Sequence, residues 1–310
     1  MKMQRQVFTY LLLTTGMLFI TAATAFPQDA DKNTGRERDA GFSVSASYIH
    51  QFDTDIGRSG EFRLNRALVR ADLKKKVSET VTLGIGANYD YSDYSFTGTL
   101  NDQIADPWNE VHALNLSMSA LFDLDRNWKL FVSPSAGVAA EAGADWGDSM
   151  VYGGIVWTSY RFSPSLTLGL GAGVFSKPEE VSAFPLIIVD WKITDRLRIA
   201  NPLQAGPTGP AGLELSYTFN DFTIASGGSY RSARFRLDDH GPVSNGVGED
   251  RSFPLWVRFS AKVGKAGTLG LYSGALVGGK MTIENSRGHK ISDESYDASP
   301  FLAATVSFKF

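Results

Sequence analysis

Residues 80–91 read TVTLGIGANYDY. Val81, Leu83, Ile85, Ala87, Tyr89 and Tyr91 fall on one parity, and Thr82, Gly84, Gly86, Asn88 and Asp90 on the other. Side chains of an extended chain point alternately to opposite faces, so this stretch is a strand with one apolar and one polar side. A helix would need its apolar residues about every 3.6 positions. The same period recurs along the chain. Leu166, Leu168, Leu170, Ala172 and Val174 alternate with Thr167 and glycines, and Phe253, Leu255, Val257, Phe259, Ala261 and Val263 alternate with Pro254, Trp256, Arg258, Ser260 and Lys262.

Continued outward, this reading places fourteen strands at 41–52, 62–74, 80–93, 111–122, 128–139, 151–162, 166–176, 183–193, 196–202, 212–219, 222–235, 253–263, 268–281 and 299–310. The number falls to twelve if one hairpin is misread. The connections at 75–79, 123–127, 163–165, 194–195, 220–221 and 264–267 are short and carry turn residues such as Asn220-Asp221. Most of the alternate ones, at 94–110, 140–150, 203–211, 236–252 and 282–298, are longer. That asymmetry and an even strand number describe an all-β, antiparallel, up-and-down transmembrane β-barrel. Pro134 falls inside a strand and removes a ladder donor, so a bulge or a shortened strand is expected there. Pro185, Pro254 and Pro300 are placed near strand starts.

The two ends of the chain agree with this class. Lys2 and Arg5 precede an apolar core from Val7 to Ile20, and Ala23-Thr24-Ala25 supplies small residues for cleavage. Residues 1–25 are therefore expected to be a cleaved signal peptide, 26–40 a polar flexible lead-in, and 41–310 the barrel. The chain has no cysteine, which excludes disulfides and thiolate metal sites. Its net charge of -3 argues against a nucleic-acid partner. Outward aromatics gather near strand ends, with Tyr89 and Tyr91 at one rim. Phe122, Trp128, Phe162, Trp191, Phe219 and Phe222 lie beside the short turns, as interfacial belts require. The last strand puts Pro300, Leu302, Ala304, Val306, Phe308 and Phe310 on one face, and the chain ends in Phe310.

On the signal sequence, on strands such as TVTLGIGANYDY and on the ending FLAATVSFKF, the mature chain resembles transmembrane β-barrels of the bacterial outer membrane. It is most similar to an uncharacterised outer-membrane barrel family described only as a domain of unknown function. The resemblance implies location in the cell outer membrane, with lipid and lipopolysaccharide as surroundings. It also implies recognition of Val306, Phe308 and Phe310 by the barrel-assembly machinery. It brings no catalytic or binding residue and no cofactor. A fourteen-stranded fatty-acid transporter would carry an N-terminal plug, for which residues 26–40 leave little room.

Three function classes follow. In a channel, the inward parity presents Arg66, Arg70, Asp90, Asp190, Arg198, Glu214, Arg231, Arg258 and Lys262 among Gly, Ser and Thr, a polar lumen with cationic excess and a mild preference for small anionic solutes. Opposite charges pairing across the lumen would instead close it. The alternative is then a surface-exposed structural or binding barrel working through acidic loops. Those loops carry Asp102, Asp106, Glu110, Asp238, Asp239, Glu249, Asp250, Glu284, Asp293, Glu294 and Asp297. None has the spacing of an EF-hand, and no metal site is assigned. An enzyme is the weakest class. His50 and His112 sit on the outward face and His240 and His289 in loops, and no GxSxG, HExxH or phosphate-cradling motif occurs. The terminal strand yields a direct check. Removing Phe310 should cut the heat-modifiable folded form in cell envelopes several-fold, and an unchanged folded fraction would refute an assembly role for that residue.

Overall fold

The computed structural model describes residues 40–100, 104–202, 207–209 and 211–310. The expected signal peptide and all of the lead-in except Ala40 lie outside them, as does Asp102. Sixteen strand segments account for the fold: β1 (Ala40–Ile56), β2 (Ser59–Lys76), β3 (Val81–Thr99), β4 (Glu110–Asp123), β5 (Trp128–Glu141), β6 (Met150–Ser163), β7 (Leu166–Lys177), β8 (Glu180–Lys192), β9 (Leu197–Ala200), β10 (Gly212–Phe219), β11 (Phe222–Ser229), β12 (Arg231–Arg236), β13 (Val247–Val263), β14 (Gly267–Glu284), β15 (Lys290–Tyr296) and β16 (Ser299–Lys309). The wall is antiparallel throughout, and β1 pairs with β16 from Ser43↔Lys309 to Gln51↔Phe301. This last ladder closes the sheet on itself and leaves no free edge at the seam.

Two pairs of segments are single interrupted strands. β11 and β12 both run along β13 in one register, from Phe222↔Ala261 to Arg231↔Ser252 and beyond. β15 and β16 both run along β14. The wall thus has the fourteen strands that the alternation predicts. Ala40 and Lys309 emerge at the same end, the terminal end, and the opposite end carries the larger connections.

The outer surface is a continuous apolar band. On β13, Phe253, Leu255, Val257 and Phe259 are exposed while Pro254, Trp256, Arg258 and Ser260 between them are buried. Leu170 and Ile187 are 68% and 62% exposed, values that only a nonpolar solvent makes favourable over so wide a surface. At the terminal end, aromatic rings form a belt: Trp128 packs on Tyr160 at 4.9 Å, Tyr160 on Phe162 at 4.8 Å, and Phe222 on Phe259 at 5.5 Å. The short turns there are tied by local bonds. In the 124–127 turn the backbone N–H groups of Trp128 and Asn127 both donate to Asp125 at 2.7 Å and hold its carboxyl below the usual range.

Several boundaries differ from the sequence reading. Much of the expected loops at 94–110, 236–252 and 282–298 is strand, because β3 runs on to Thr99, β13 starts at Val247 and β15 occupies Lys290–Tyr296. These extensions fold inward on each other and bury a core of their own. Trp108, Phe62, Phe235, Met281 and Ile283 are each at most 1% exposed. Their acidic composition hid the strand period. Two loop-end connections are tight turns instead, with Gly57 and Glu179 at positive φ. The strand expected at 196–202 shortens to Leu197–Ala200.

Pro134 produces neither a bulge nor a shortened strand. β5 runs through it, with Ser117↔Ser135 and Ala120↔Val132 in one register. Ser133 Oγ donates to the Met118 carbonyl at 2.9 Å and takes the place of the ladder donor that proline lacks. Ser133→Ala should therefore lower stability by about 1 kcal/mol in urea unfolding from detergent micelles. An unchanged midpoint would show that this bond does not offset the proline.

Candidate functional site

The inward parity defines the candidate site, and it brings the sequence-identified charges into pairs. On neighbouring strands, the Arg66 guanidinium grips Asp90 in a two-pronged bond, with Nε 2.8 and 2.9 Å from the two carboxylate oxygens. Arg70 bonds Asp72 two residues along the same face at 2.9 Å, and Arg198 bonds Asp190 across β8 and β9 at 2.7 Å. Arg231 bonds Asp250 at 2.7 Å. Lys262 stands 3.9 Å from Asp221 at the terminal end, where both are exposed and water screens them.

The Arg258–Glu214 pair spans two ladders, β13 to β10, across β11. Its guanidinium donates to the two carboxylate oxygens at 3.1 and 2.5 Å, and the Trp256 indole N–H adds a third bond to Glu214 at 3.2 Å. The intervening strand must be thin for this reach. Gly227 provides that, since a Cβ there would lie 2.7 Å from the Trp256 ring. Both charges are almost fully buried, so each depends on the other for its solvation.

Counted with these partners, the six cations of the candidate set face six carboxylates. The cationic excess expected from sequence is absent from this set, because Asp72, Asp221 and Asp250 complete the balance. Asp72 was detectable, as it shares the parity of Arg66 and Arg70. Asp250 was not, because its segment read as loop. It is fully buried and accepts a bond from each of the Tyr94 and Tyr296 hydroxyls at 3.0 Å.

The interior is also less uniformly polar than expected. Phe131, Trp157 and Ile188 form a buried inward cluster with Leu121, Ile155 and Leu186. Phe131 stacks on Trp157 at 4.9 Å, and Phe175 on Phe184 at 6.0 Å. The inner wall from β4 to β8 therefore carries an apolar patch, bordered by the charges Asp123–Lys129 and Asp190 toward the terminal end and by Lys177 toward the loop end. The run from Phe184 to Trp191, apolar on both parities except at Asp190, was the sequence signal for it.

At the loop end a strand crosses the mouth. β12 follows β13 on one edge, and its tip, Arg236, bridges in parallel to Ala140 of β5, six strands away around the wall. Arg234 Nε donates to the Pro178 carbonyl at 2.8 Å, and its guanidinium also meets Glu284 at 2.5 Å, Glu180 at 3.4 Å and Glu249 at 3.6 Å. Arg236 bonds Glu179 at 2.7 Å and the Asp148 carbonyl at 3.2 Å. Sequence reasoning missed both arginines. Beneath β12 lies a cavity of about 210 Å³ that Arg66, Asp90, Tyr94, Lys177, Arg231 and Phe235 help to line. From the β9–β10 connection the Pro207 carbonyl accepts a bond from Arg66 at 3.4 Å, and the Thr208 carbonyl one from Ser229 at 2.6 Å.

The remaining candidates stay apart from this interior. His50 bonds Asn65 at 2.8 Å and His112 bonds the Tyr89 hydroxyl at 2.7 Å, both on the outward face. Asp238, half-buried, and the exposed Asp239 and His240 form the one close group of three ligand-type side chains among the described residues. Much of the loop-end acid is already matched with cations. Asp293 lies 2.7 Å from Lys280 and 2.9 Å from Lys290, while Glu284 and Glu249 face Arg234.

A closed antiparallel cylinder of fourteen strands, apolar outside and charge-lined inside, defines a transmembrane β-barrel. The chain belongs to the family described as Domain of unknown function (DUF6268), which matches residues 36–225. No curated protein matches the sequence. Among solved structures, the chain is similar to the COG4313 outer membrane channel from Pseudomonas putida F1, with 11% identity, a TM-score of 0.49, and coverage of 92% of this chain and 100% of that one. It is also similar to the Pseudomonas putida toluene transporter TodX (8% identity, TM-score 0.47, 88% and 90% covered) and the Ralstonia pickettii toluene transporter TbuX (8%, 0.46, 89% and 90%).

The buried Arg258–Glu214 pair carries a specific stability expectation. Arg258→Met leaves Glu214 buried without its partner and should cost about 3–5 kcal/mol. The double replacement Glu214→Leu with Arg258→Met should recover most of that loss. Equal losses in the single and double variants, read from unfolding midpoints, would contradict the pairing.

Proposed function

We propose that the protein is an outer-membrane channel for small hydrophilic solutes, held shut at its outer end in this structure. The observation that carries this reading is the interior: a charge-lined lumen that keeps a cavity of about 210 Å³ inside a barrel with an apolar exterior. A barrel serving only as a scaffold could fill that space with side chains. Cavities of this size with several polar walls hold a cluster of waters, the medium in which polar solutes move. The terminal end, with its short turns, then faces the periplasm and the loop end faces outward.

The pairing of the six candidate cations with six carboxylates weakens the basis for the anion preference expected from sequence. Arg66–Asp90 and Arg70–Asp72 present dipoles to the lumen in place of net charge. Selectivity is then by size and hydrogen bonding, with little discrimination between K+ and Cl−. Surrounding lipid and lipopolysaccharide, and the assembly machinery acting on Val306, Phe308 and Phe310, complete the set of partners; no cofactor and no catalytic step enter this reading.

A second reading has its own support. The loop-end core of Phe62, Trp108, Phe235, Met281 and Ile283 is almost wholly buried, which suits a closed barrel that works through its outer surface. Planar-bilayer recording separates the two. The channel reading expects small conductance steps and a reversal potential close to zero in a KCl gradient. Folded protein that inserts without any steps would instead support the closed barrel.

A further inference from the structure

We infer that the loop-end part of β12, β13, β14 and β15 is a lid that turns as one unit about a hinge line crossing all four strands. The inference rests on the channel reading for its electrical readout but not for its geometry. At one level of the wall each of these strands is interrupted. β11 passes into β12 through Tyr230, which belongs to neither segment, and in that register Pro254 stands opposite Ser229 and can donate no ladder bond. The β13–β14 ladder slips between Arg251 and Phe253. Gly278 of β14 takes φ +59°, a conformation costly for any residue with a side chain. β15 and β16 part at residues 297–298. Such breaks concentrate bending where backbone bonds are already missing.

Above this line the four segments stay laddered to one another, with Ser232↔Arg251, Asp250↔Met281 and Thr282↔Asp293 as successive pairs. The lid meets the far wall in a different way. There it relies on one backbone bridge, Arg236↔Ala140, and on side-chain bonds: Arg236 to Glu179 and the Asp148 carbonyl, Arg234 to Glu180 and the Pro178 carbonyl, the Asp238 N–H to Glu141 and the Tyr94 hydroxyl to Asp250. The tight turn bearing Glu179 thus serves as a catch for the two arginines. At its other edge, opening also breaks the short backbone contact of β15 with β1, Ile56↔Tyr296 and the Gly57 N–H to the Ser295 carbonyl at 3.1 Å. Phe235 closes against Trp108 at 5.4 Å. Among the described residues, Trp108 Nε1, Arg231 Nε and Ser252 Oγ are buried polar atoms without a hydrogen-bond partner, all on the loop-end side of the barrel. Opening would hydrate these atoms and so offset part of the cost of exposing Phe235 and Trp108 to water.

The natural absence of cysteine makes the lid directly testable. A disulfide between Ala140→Cys and Arg236→Cys ties the tip to the far wall, while one between Lys280→Cys and Ser295→Cys lies wholly within the lid. In bilayers, oxidised A140C/R236C should conduct about tenfold less than the same protein after reduction, a population shift of the size such a latch commands. K280C/S295C should ignore the reductant, and E179Q/E180Q should raise the time spent open. Oxidised and reduced A140C/R236C conducting alike would overturn the proposal. Spin labels at Ser244→Cys and Arg58→Cys give a readout that needs no current. E179Q/E180Q should add a second, longer distance between them. If that distance appears while no variant conducts, the lid stands and the channel reading falls. A single distance in every variant overturns the lid.

Discussion

In hydrocarbon no water is available to bond a backbone N–H or C=O, so every such group within the membrane must find its partner inside the protein. The β1–β16 ladder is where this chain meets that demand. Without it, two edges some ten residues long would face lipid, each unpaired group at a cost of several kcal/mol. The remaining features follow from closure. A closed wall has an inside and an outside, the period of two assigns residues to them, and the even number of strands returns the terminal strand to pair with the first.

Closure also sets the terms for the interior. Charges facing inward are removed from bulk water but are not in lipid, and they persist as pairs. Their geometry differs with depth. Arg258–Glu214 is buried, three-bonded with Trp256 and depends on the thinness of Gly227, whereas Lys262–Asp221 is loose and hydrated near the end of the barrel. The lining is mixed, with an apolar patch of Phe131, Trp157 and Ile188 on one side and paired charges around it, unlike a uniformly polar pore. At the loop end the same chain gives up part of its wall. β12 turns away from the wall to cross the mouth, and the energy of that departure is recovered by burying Phe235 and Met281 and by the bonds of Arg234 and Arg236.

The fold was legible in sequence wherever one face meets lipid. Residues such as Leu255, Val257 and Phe259 are apolar because the bilayer requires it, and their spacing reports strand, face and register together. Legibility failed above the membrane, where both faces of a strand touch protein. There Asp250, Asp293 and Glu284 sit on strands because cations and tyrosines neutralise them, and nothing in local composition announces a partner distant in sequence. Pro134 was misread for a related reason. A missing donor was visible, but its replacement by the hydroxyl of Ser133 is a matter of geometry. Pro254 was read as near a strand start, yet lies within β13, at the level where the wall bends.

The account depends on successive residues facing lipid and lumen in turn, and single-cysteine scanning of residues 113–119 on β4 measures this directly. Leu114, Leu116 and Met118 face outward and are exposed, while Ala113, Asn115, Ser117 and Ser119 face the interior. Spin labels placed one at a time in liposome-reconstituted protein should show high oxygen accessibility at the even positions and low at the odd ones, in strict alternation. Accessibility without that period, or a water-soluble relaxant reaching the even positions as readily as oxygen does, would contradict a lipid-facing cylinder.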